Sequence, residues 1–432
     1  MSRRSRSARP WVRACRWTSA RPPRRSNGRS RDLKSTSPRC EPGAFSLCGL
    51  TLWRAWAIAS AKLSCRGCRV KRIVVTTVKD EAPYLVEWIA YQKLLGFDEI
   101  VITSNDSTDG TDEILERLEA GGWCKAIRFK RADYKTPPQI TGFNLICELP
   151  ELSEPALVFA SDVDEFLQVN VGETGTLDDL LEAAPDFDMM LIRWRVFGSA
   201  ALLTHEEDLT IRRFQFASPT SYHGQIFLHG QEESLGKPDY KRDLASTEFN
   251  RHQSQRWTRT YKTLFKYVPG DKISVHLPRI NREGLAKIDG GGRRDPNERY
   301  SHLSFFGEHT YDGSYALCQL NHYANRSVDE YLMKMLKGDS IYAVNPRGLD
   351  HWKVAECNEV ASTDVERWEK PLEALVAKII AECDLRPLLD DAMVRRQAQL
   401  DEALAAVPEL AALRELMAEM AGAAFSRSVA IA

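Results

Sequence analysis

The chain has 432 residues, 43% hydrophobic and 28% charged, an ordinary soluble composition long enough for one large or two medium domains. Its net charge of −1 hides an asymmetry: residues 1–69 hold 15 Arg and 2 Lys against Asp32 and Glu41, a charge of +15, which leaves −16 on the rest. That acidic body has no basic stripe with interleaved aromatics, which excludes nucleic acid as its partner.

The first 69 residues are rich in Arg, Ser, Pro and Cys and show no helical or strand period before about Ala44. A basic arm of this kind can bind polyanions. Its apolar stretch "AFSLCGLTLWRAWAIASA" offers peripheral membrane association, but Arg54 interrupts a run that barely reaches the roughly 20 residues of a spanning helix. The reading preferred here is a disordered extension that cannot bury a core. Five of the ten cysteines lie in it, and the lone C-x-x-C at Cys65 and Cys68 has no second pair for zinc. No disulfide framework is implied, so a reducing cytoplasm is the expected location.

From Arg72 the texture changes. "RIVVTTV" is a β-branched strand, and "YLVEWIAYQKLLG" a helix with Leu85, Trp88 and Ile89 on one face and Gly96 as its stop. "EIVITS" predicts a second strand and "TDEILERLEAGG" a second helix, with Asp109 or Thr111 as N-cap. "AIRFKR" predicts a third strand, residues 138–148 a helix, and "LVFASD" a fourth strand. Such alternation predicts an open, mostly parallel α/β sheet, with ligands bound beyond the carboxyl ends of its strands. "DMMLIRWRVFG" is a further strand, and residues 362–424 read as helices. The expected organisation is a basic extension over 1–69, an α/β domain over 70–345 and a helical region over 346–432.

The fourth strand runs straight into Asp162, Asp164 and Glu165. Like charges crowded at a strand end repel one another. Two Asp at i and i+2 on a strand share a face and suit a hard divalent cation, Mg²⁺ or Mn²⁺, completed by substrate phosphates. The alternative is a solvated turn.

"VVTTVKDEAPYLVEWIAYQKLLGFDEIVITSNDSTDGTDEIL", then "DVDEF", then "NHYANRSVDEYLMKMLKGD", in this order, resembles the inverting glycosyltransferases of the family-2-like and family-92-like groups, which have the GT-A fold. The resemblance implies a Rossmann-like sheet with flanking helices and a nucleotide-sugar donor. It places Lys79, Asp80 and Glu81, then Asn105, Asp106 and Asp109, at the nucleotide, and Asp162 and Asp164 at the metal and diphosphate. It makes His322 a further metal ligand and brings Gly198, Lys262, Lys266 and His276 to the substrate. For the base of an inverting transfer it points to Asp208 or Glu207, after the "RVFGSA" loop, with the Glu232/Glu233 pair as the alternative. The acceptor is expected to be a glycan or a lipid-linked hydroxyl, with the enzyme at the inner membrane face as one option.

Two other readings compete. A nucleotidyltransferase should carry a Gly-rich phosphate loop after its first strand, and "TTVKDEAPYL" has no Gly. A catalytically inactive nucleotide-sugar or glycan-binding relative would keep the fold without turnover. Because the alternation begins only at Arg72, a chain starting at Val70 is expected to fold and keep activity. A truncated protein that is soluble but inactive, or shows no cooperative melting, would assign residues 1–69 to the working molecule.

Overall fold

β1 (Lys71–Val78) is the strand around which the sheet is built. Its Ile73, Val74 and Val75 are completely buried, which suits β-branched side chains on a strand covered on both faces. The computed structural model describes residues 70–220, 261–294, 315–337, 349–362 and 365–429. The basic extension and the Glu232/Glu233 pair lie outside the described residues.

Chain order continues α1 (Leu85–Leu95), β2 (Glu99–Asn105), α2 (Thr111–Ala120), β3 (Lys125–Phe129), α3 (Pro138–Ile146), β4 (Ala156–Ala160), β5 (Glu165–Val169), α4 (Leu177–Ala183), β6 (Met189–Val196), α5 (Thr210–Arg213) and β7 (Phe216–Ala217). It closes with β8 (Tyr261–Tyr267), β9 (Lys287–Asp289), β10 (Cys318–His322), α6 (Val328–Leu336), α7 (Leu349–Ala355), β11 (Val360–Ala361), α8 (Glu366–Glu382), α9 (Arg386–Ala406) and α10 (Pro408–Val429). Among the described residues nine strands form the main sheet, in the order β3-β2-β1-β4-β8-β6-β10-β5, with β9 beside β6.

The sheet is mixed and mostly parallel. β8 runs antiparallel to both β4 and β6, and β5 antiparallel to β10; every other pairing in it is parallel. The first four strands and three helices fall where the alternation predicts them. β5, β8 and β10 fall outside the regular strand–helix alternation, and their sheet neighbours come from distant sequence.

Side chains alternate between two cores, as a period of two requires. Ile73 and Val75 join Phe143 and Ile146 of α3. Val74 and Val78 join Leu85, Trp88 and Ile89 of α1, with Leu115 and Leu118 of α2.

The expected one-sided α1 is instead buried nearly all round, from Leu85 to Gln92, because α8 packs over its outer side. Gly96 ends it in the left-handed region at φ 104°, which a residue without Cβ adopts at little cost. At α2 the N-cap position belongs to Gly110, at φ 98°, and not to Asp109 or Thr111. Asp109 still does capping work, its carboxylate accepting the Thr111 N–H at 3.0 Å. No helix among the described residues is long and apolar enough to cross a membrane.

Burying α1 on both sides takes Glu87 out of water. Its carboxylate accepts the Thr210 hydroxyl at 2.7 Å, yet burial pushes its pKa above the ordinary glutamate value, against the Thr210 hydrogen bonds. A raised carboxyl binds its proton more tightly in the folded chain. The resulting stabilisation is complete below the unfolded pKa, about 4.3, and is lost as pH rises through the raised value. Melting curves of wild type and Glu87→Gln should therefore diverge with rising pH, the wild type losing ground from about pH 5 upward. A difference in melting temperature that is constant with pH would contradict the shift.

Candidate functional site

The strand directions decide where chemistry can gather. β1, β2, β4, β6 and β10 all point the same way, so the turns that follow them lie on one edge of the sheet. β8 and β5 run the other way and deliver their first residues, Tyr261 with Lys262 and Glu165, to that same edge. Five non-glycine residues in these turns have positive φ: Asp80, Asp106, Ala200, Ala201 and Arg326, between 47° and 59°. An alanine gains no local hydrogen bond from that conformation, so the Ala200–Ala201 pair is strained and must be held by its surroundings. The Glu356 carboxylate does so, accepting the Ser199 N–H at 3.1 Å and the Ser199 hydroxyl at 2.6 Å.

The three crowded carboxylates separate into three environments. Glu165 is fully buried and closes the turn on itself, accepting the Asp162 N–H at 2.8 Å and the Trp194 indole N–H at 2.8 Å. Burial pushes its carboxyl up to about 8, although Lys262 pulls the other way. Asp162, a third exposed, accepts Lys262 Nζ at 2.8 Å and Gln139 Nε2 at 3.0 Å. Burial alone would lower the Lys262 pKa, but Asp162 and Glu165 outweigh it and keep the ammonium charged.

Asp164 pairs with Lys334, while His322 Nε2 stands 3.7 Å from its Oδ1. Burial would raise the Asp164 carboxyl, and Lys334, His322 and Arg326 together hold it well below the usual range. Burial depresses His322 despite Asp164, and its ring lies 4.0 Å from that of Trp194. The expected like-charge crowding is felt at Glu165, which Asp162 and Asp164 help to raise, while each Asp has its own ammonium.

A second set of charges adjoins the first. Glu81 pairs with Lys337 and, at 3.4 Å, with Arg326; burial raises its carboxyl, and Lys337, Arg326 and Lys334 bring it below the ordinary value. The Arg326 guanidinium lies 3.4 Å over the Tyr84 ring and reaches the Val163 carbonyl at 3.3 Å. Arg396 of α9 donates to the Asp80 carbonyl at 3.1 Å and to the Tyr84 hydroxyl at 3.4 Å. A small opening lies among Glu81, Tyr84, Arg326, Lys334, Lys337 and Arg396. None of these four cations was singled out in the sequence. For Lys334 and Lys337 the available signal was their position on the same helical segment that follows "NHY".

The remaining candidates divide by position. Lys79 shares reciprocal contacts with Lys337, Lys337 Nζ donating to the Lys79 carbonyl at 3.0 Å. Asp80 accepts the Thr108 N–H at 2.7 Å and Asp106 the Arg131 N–H at 2.9 Å, so both brace the loops after β1 and β2. Asn105 is buried and donates to Asp106 at 3.3 Å. Asp109 is buried and accepts the Ala82 N–H at 3.1 Å, a structural tie between those two loops.

Gly198 leaves no room for a side chain, since a Cβ there would meet Asn358 at 2.4 Å. His276 binds the Tyr261 carbonyl through Nδ1 at 2.9 Å, with its ring 6.1 Å from Trp194. Lys266 sits at the far end of β8, about 13 Å along the strand from Lys262, paired with Asp186 at 2.7 Å. Glu207 and Asp208 lie on the outside, paired with Arg386 and with Arg212.

Two carboxylates and a neutral imidazole are donors suited to Mn²⁺ or Mg²⁺. Among the described residues, no group of three or more His, Cys, Asp or Glu converges closely enough to hold an ion alone.

No protein-family model matches the chain, and no curated protein matches it. Among solved structures it is similar to S. aureus TarS 1-349 in complex with UDP, at 20% identity and a TM-score of 0.21, over 29% of this chain and 35% of that one. It is also similar to S. aureus TarS 1-349, at 13% identity and a TM-score of 0.24, over 77% of this chain and 91% of that one. Likenesses of this size carry no weight for function, which has to be read from the residues of the edge itself.

The geometry makes Lys262 the residue whose loss the turn tolerates least. Lys262→Met leaves Asp162 without its buried cation, and breaking a buried pair costs about 3–5 kcal/mol. The exposure of Asp162 places the expected loss near the lower figure. Chemical denaturation should show it, and an unchanged midpoint would remove Lys262 from the support of the turn.

Proposed function

We propose that the chain is a glycosyltransferase that moves a sugar, with inversion, from a nucleotide-diphosphate donor to a hydroxyl of a glycan or lipid-linked acceptor. The observation that carries the reading is the Asp162–Asp164 turn at the carboxyl edge of β4, with His322 facing it from β10 and the loops after β1 and β2 beside it. A ligand bound beyond the carboxyl ends of a mostly parallel sheet meets all of these groups at once.

In this reading the loops carrying Lys79–Glu81 and Asn105–Asp106 border the nucleotide. Asp162, Asp164 and His322 hold Mn²⁺ or Mg²⁺, which when bound supplies positive charge for the diphosphate. Lys262 stays buried beneath the turn and keeps the Asp162 carboxylate in place. Gly198 and its strained turn shape the side of the site next to β6, and Trp194 with His276 forms its floor. The acceptor proton needs a carboxylate near the sugar. The candidates Glu207 and Asp208 stand in outward ion pairs with Arg386 and Arg212. That position favours, as a second reading, a nucleotide-sugar-binding relative without turnover.

Asp164→Asn tests the first reading. It removes a charged oxygen ligand where the leaving group builds charge, and a lost contact of this kind costs about 3–4 kcal/mol, roughly a 100- to 1,000-fold drop in rate. Because Asp164 also neutralises Lys334, a modest fall in melting temperature should accompany the loss. Donor hydrolysis and transfer followed against Mn²⁺ concentration give the answer. Near-normal turnover in the variant, or a wild type indifferent to EDTA, would overturn the metal site. Donor binding with no turnover under any condition would establish the second reading.

A further inference from the structure

We propose that the exposed basic stretch after β3, from Arg128 to Ile140, docks the protein on an anionic lipid surface and turns its carboxyl edge toward lipid-linked acceptors. The choice of acceptor rests on the functional reading above; the docking surface does not. Arg128, Lys130, Arg131 and Lys135 are all exposed, and Asp133 is the one acid among them. They stand out on a body that carries −16 once the +15 of residues 1–69 is set apart from the net −1. Tyr134 and Ile140, 37% and 42% exposed, belong to the same stretch. Cations interleaved with exposed apolar side chains suit an anionic bilayer, the charges meeting headgroups and the apolar groups the acyl boundary. A soluble polyanion would satisfy the cations and leave Tyr134 and Ile140 in water, which favours the lipid surface.

The fold puts this stretch at the rim of the candidate site. β3 is the terminal strand of the sheet among the described residues and runs parallel to β2, so its end lies on the same carboxyl edge. In the loop after β2, the Asp106 carboxylate accepts the Arg131 N–H at 2.9 Å. At the other end of the stretch Gln139, next to Ile140, donates to Asp162 at 3.0 Å. The backbone between these ties is shaped by its own contacts. A short 3-10 turn covers Arg131–Asp133, and the rings of Phe129 and Tyr134 meet edge to face with centroids 5.6 Å apart. The Arg131 guanidinium donates to the Tyr134 carbonyl, and the Thr141 hydroxyl to the Thr136 carbonyl at 3.1 Å. Lys272 and Arg279 are exposed as well, but they follow the far end of β8. No large apolar side chain between residues 261 and 294 is exposed with them.

Vesicles test the surface without any turnover. The basic extension of the full chain also attracts anionic lipid, so the readout has to be local. Amide hydrogen exchange of residues 128–140 in the full chain is compared with phosphatidylglycerol vesicles, with phosphatidylcholine vesicles and with neither. Docking slows exchange in this stretch on the anionic vesicles only. The double variant Lys130→Ala with Lys135→Ala should partition onto them about tenfold more weakly at low salt, with its melting temperature unchanged. Ile140→Ser should weaken vesicle partition and leave the binding of inorganic polyphosphate unchanged. Protection confined to residues 1–69, or an Ile140→Ser variant that binds vesicles like the wild type, overturns the lipid surface. Protection of 128–140 by polyphosphate but not by vesicles assigns the stretch to a polyanionic chain and overturns it too. Turnover of a nucleotide sugar with no protection of 128–140 removes the surface and leaves the functional reading standing. Protection without turnover of any donor leaves the surface standing and removes that reading, and the acceptor with it.

Discussion

A carboxyl group that is fully buried under a turn has to find hydrogen-bond partners, and Glu165 is the group on which this edge of the molecule depends. It accepts the Asp162 N–H and the Trp194 indole N–H and lies 3.6 Å from Lys262 Nζ. Those three contacts join β4, β5, β6 and β8 at one point. A buried carboxyl left without hydrogen-bond partners would cost about 1–3 kcal/mol, so these contacts hold the strands in their relative positions, with Lys262 charged against Asp162 beside them. Asp162 is thereby displayed on a rigid base with its carboxylate a third exposed, while Asp164 lies buried against Lys334.

The antiparallel strands are what make that base possible. β8 enters between β4 and β6 in the opposite direction, so its first residues reach the edge where the parallel strands end. β10 places His322 directly opposite Glu165 of β5. A wholly parallel sheet would bring only strand ends and their following turns to this edge. Here strand beginnings arrive as well, and they supply Lys262 and Glu165.

The C-terminal helices belong to the same arrangement. α8 covers α1, and α1 in turn ties β5 through Trp88 and Tyr91, whose side chains donate to the Glu165 and Leu167 carbonyls at 3.1 and 2.9 Å. α9 sends Arg396 to the Asp80 carbonyl and the Tyr84 hydroxyl. Tyr84 then carries Arg326 on its face. Loop conformations with positive φ at Asp80 and Arg326 are therefore held by packing from elements far away in sequence, as strained residues near a site usually are.

Local chemistry in the sequence was enough to determine the early strands, α1 with its Gly96 stop, and the carboxylates at the end of β4, because strand and helix periods and turn residues act over a few positions. It also determined that these carboxylates lie at a carboxyl edge, since alternation implies parallel strands. It did not determine what neutralises them. Lys262 and Lys334 lie 100 and 170 residues from their Asp partners, and no periodicity links residues so distant. Nor did it separate Lys262 from Lys266, both in one short strand and four residues apart. Only the antiparallel register of β8 puts the first against Asp162 and the second beside Asp186 at the opposite end. Glu207 and Asp208 were legible as acids after a glycine-containing loop. The fold leaves them on the outside, where they meet Arg386 and Arg212 in surface ion pairs, and no local period in the sequence carries that direction.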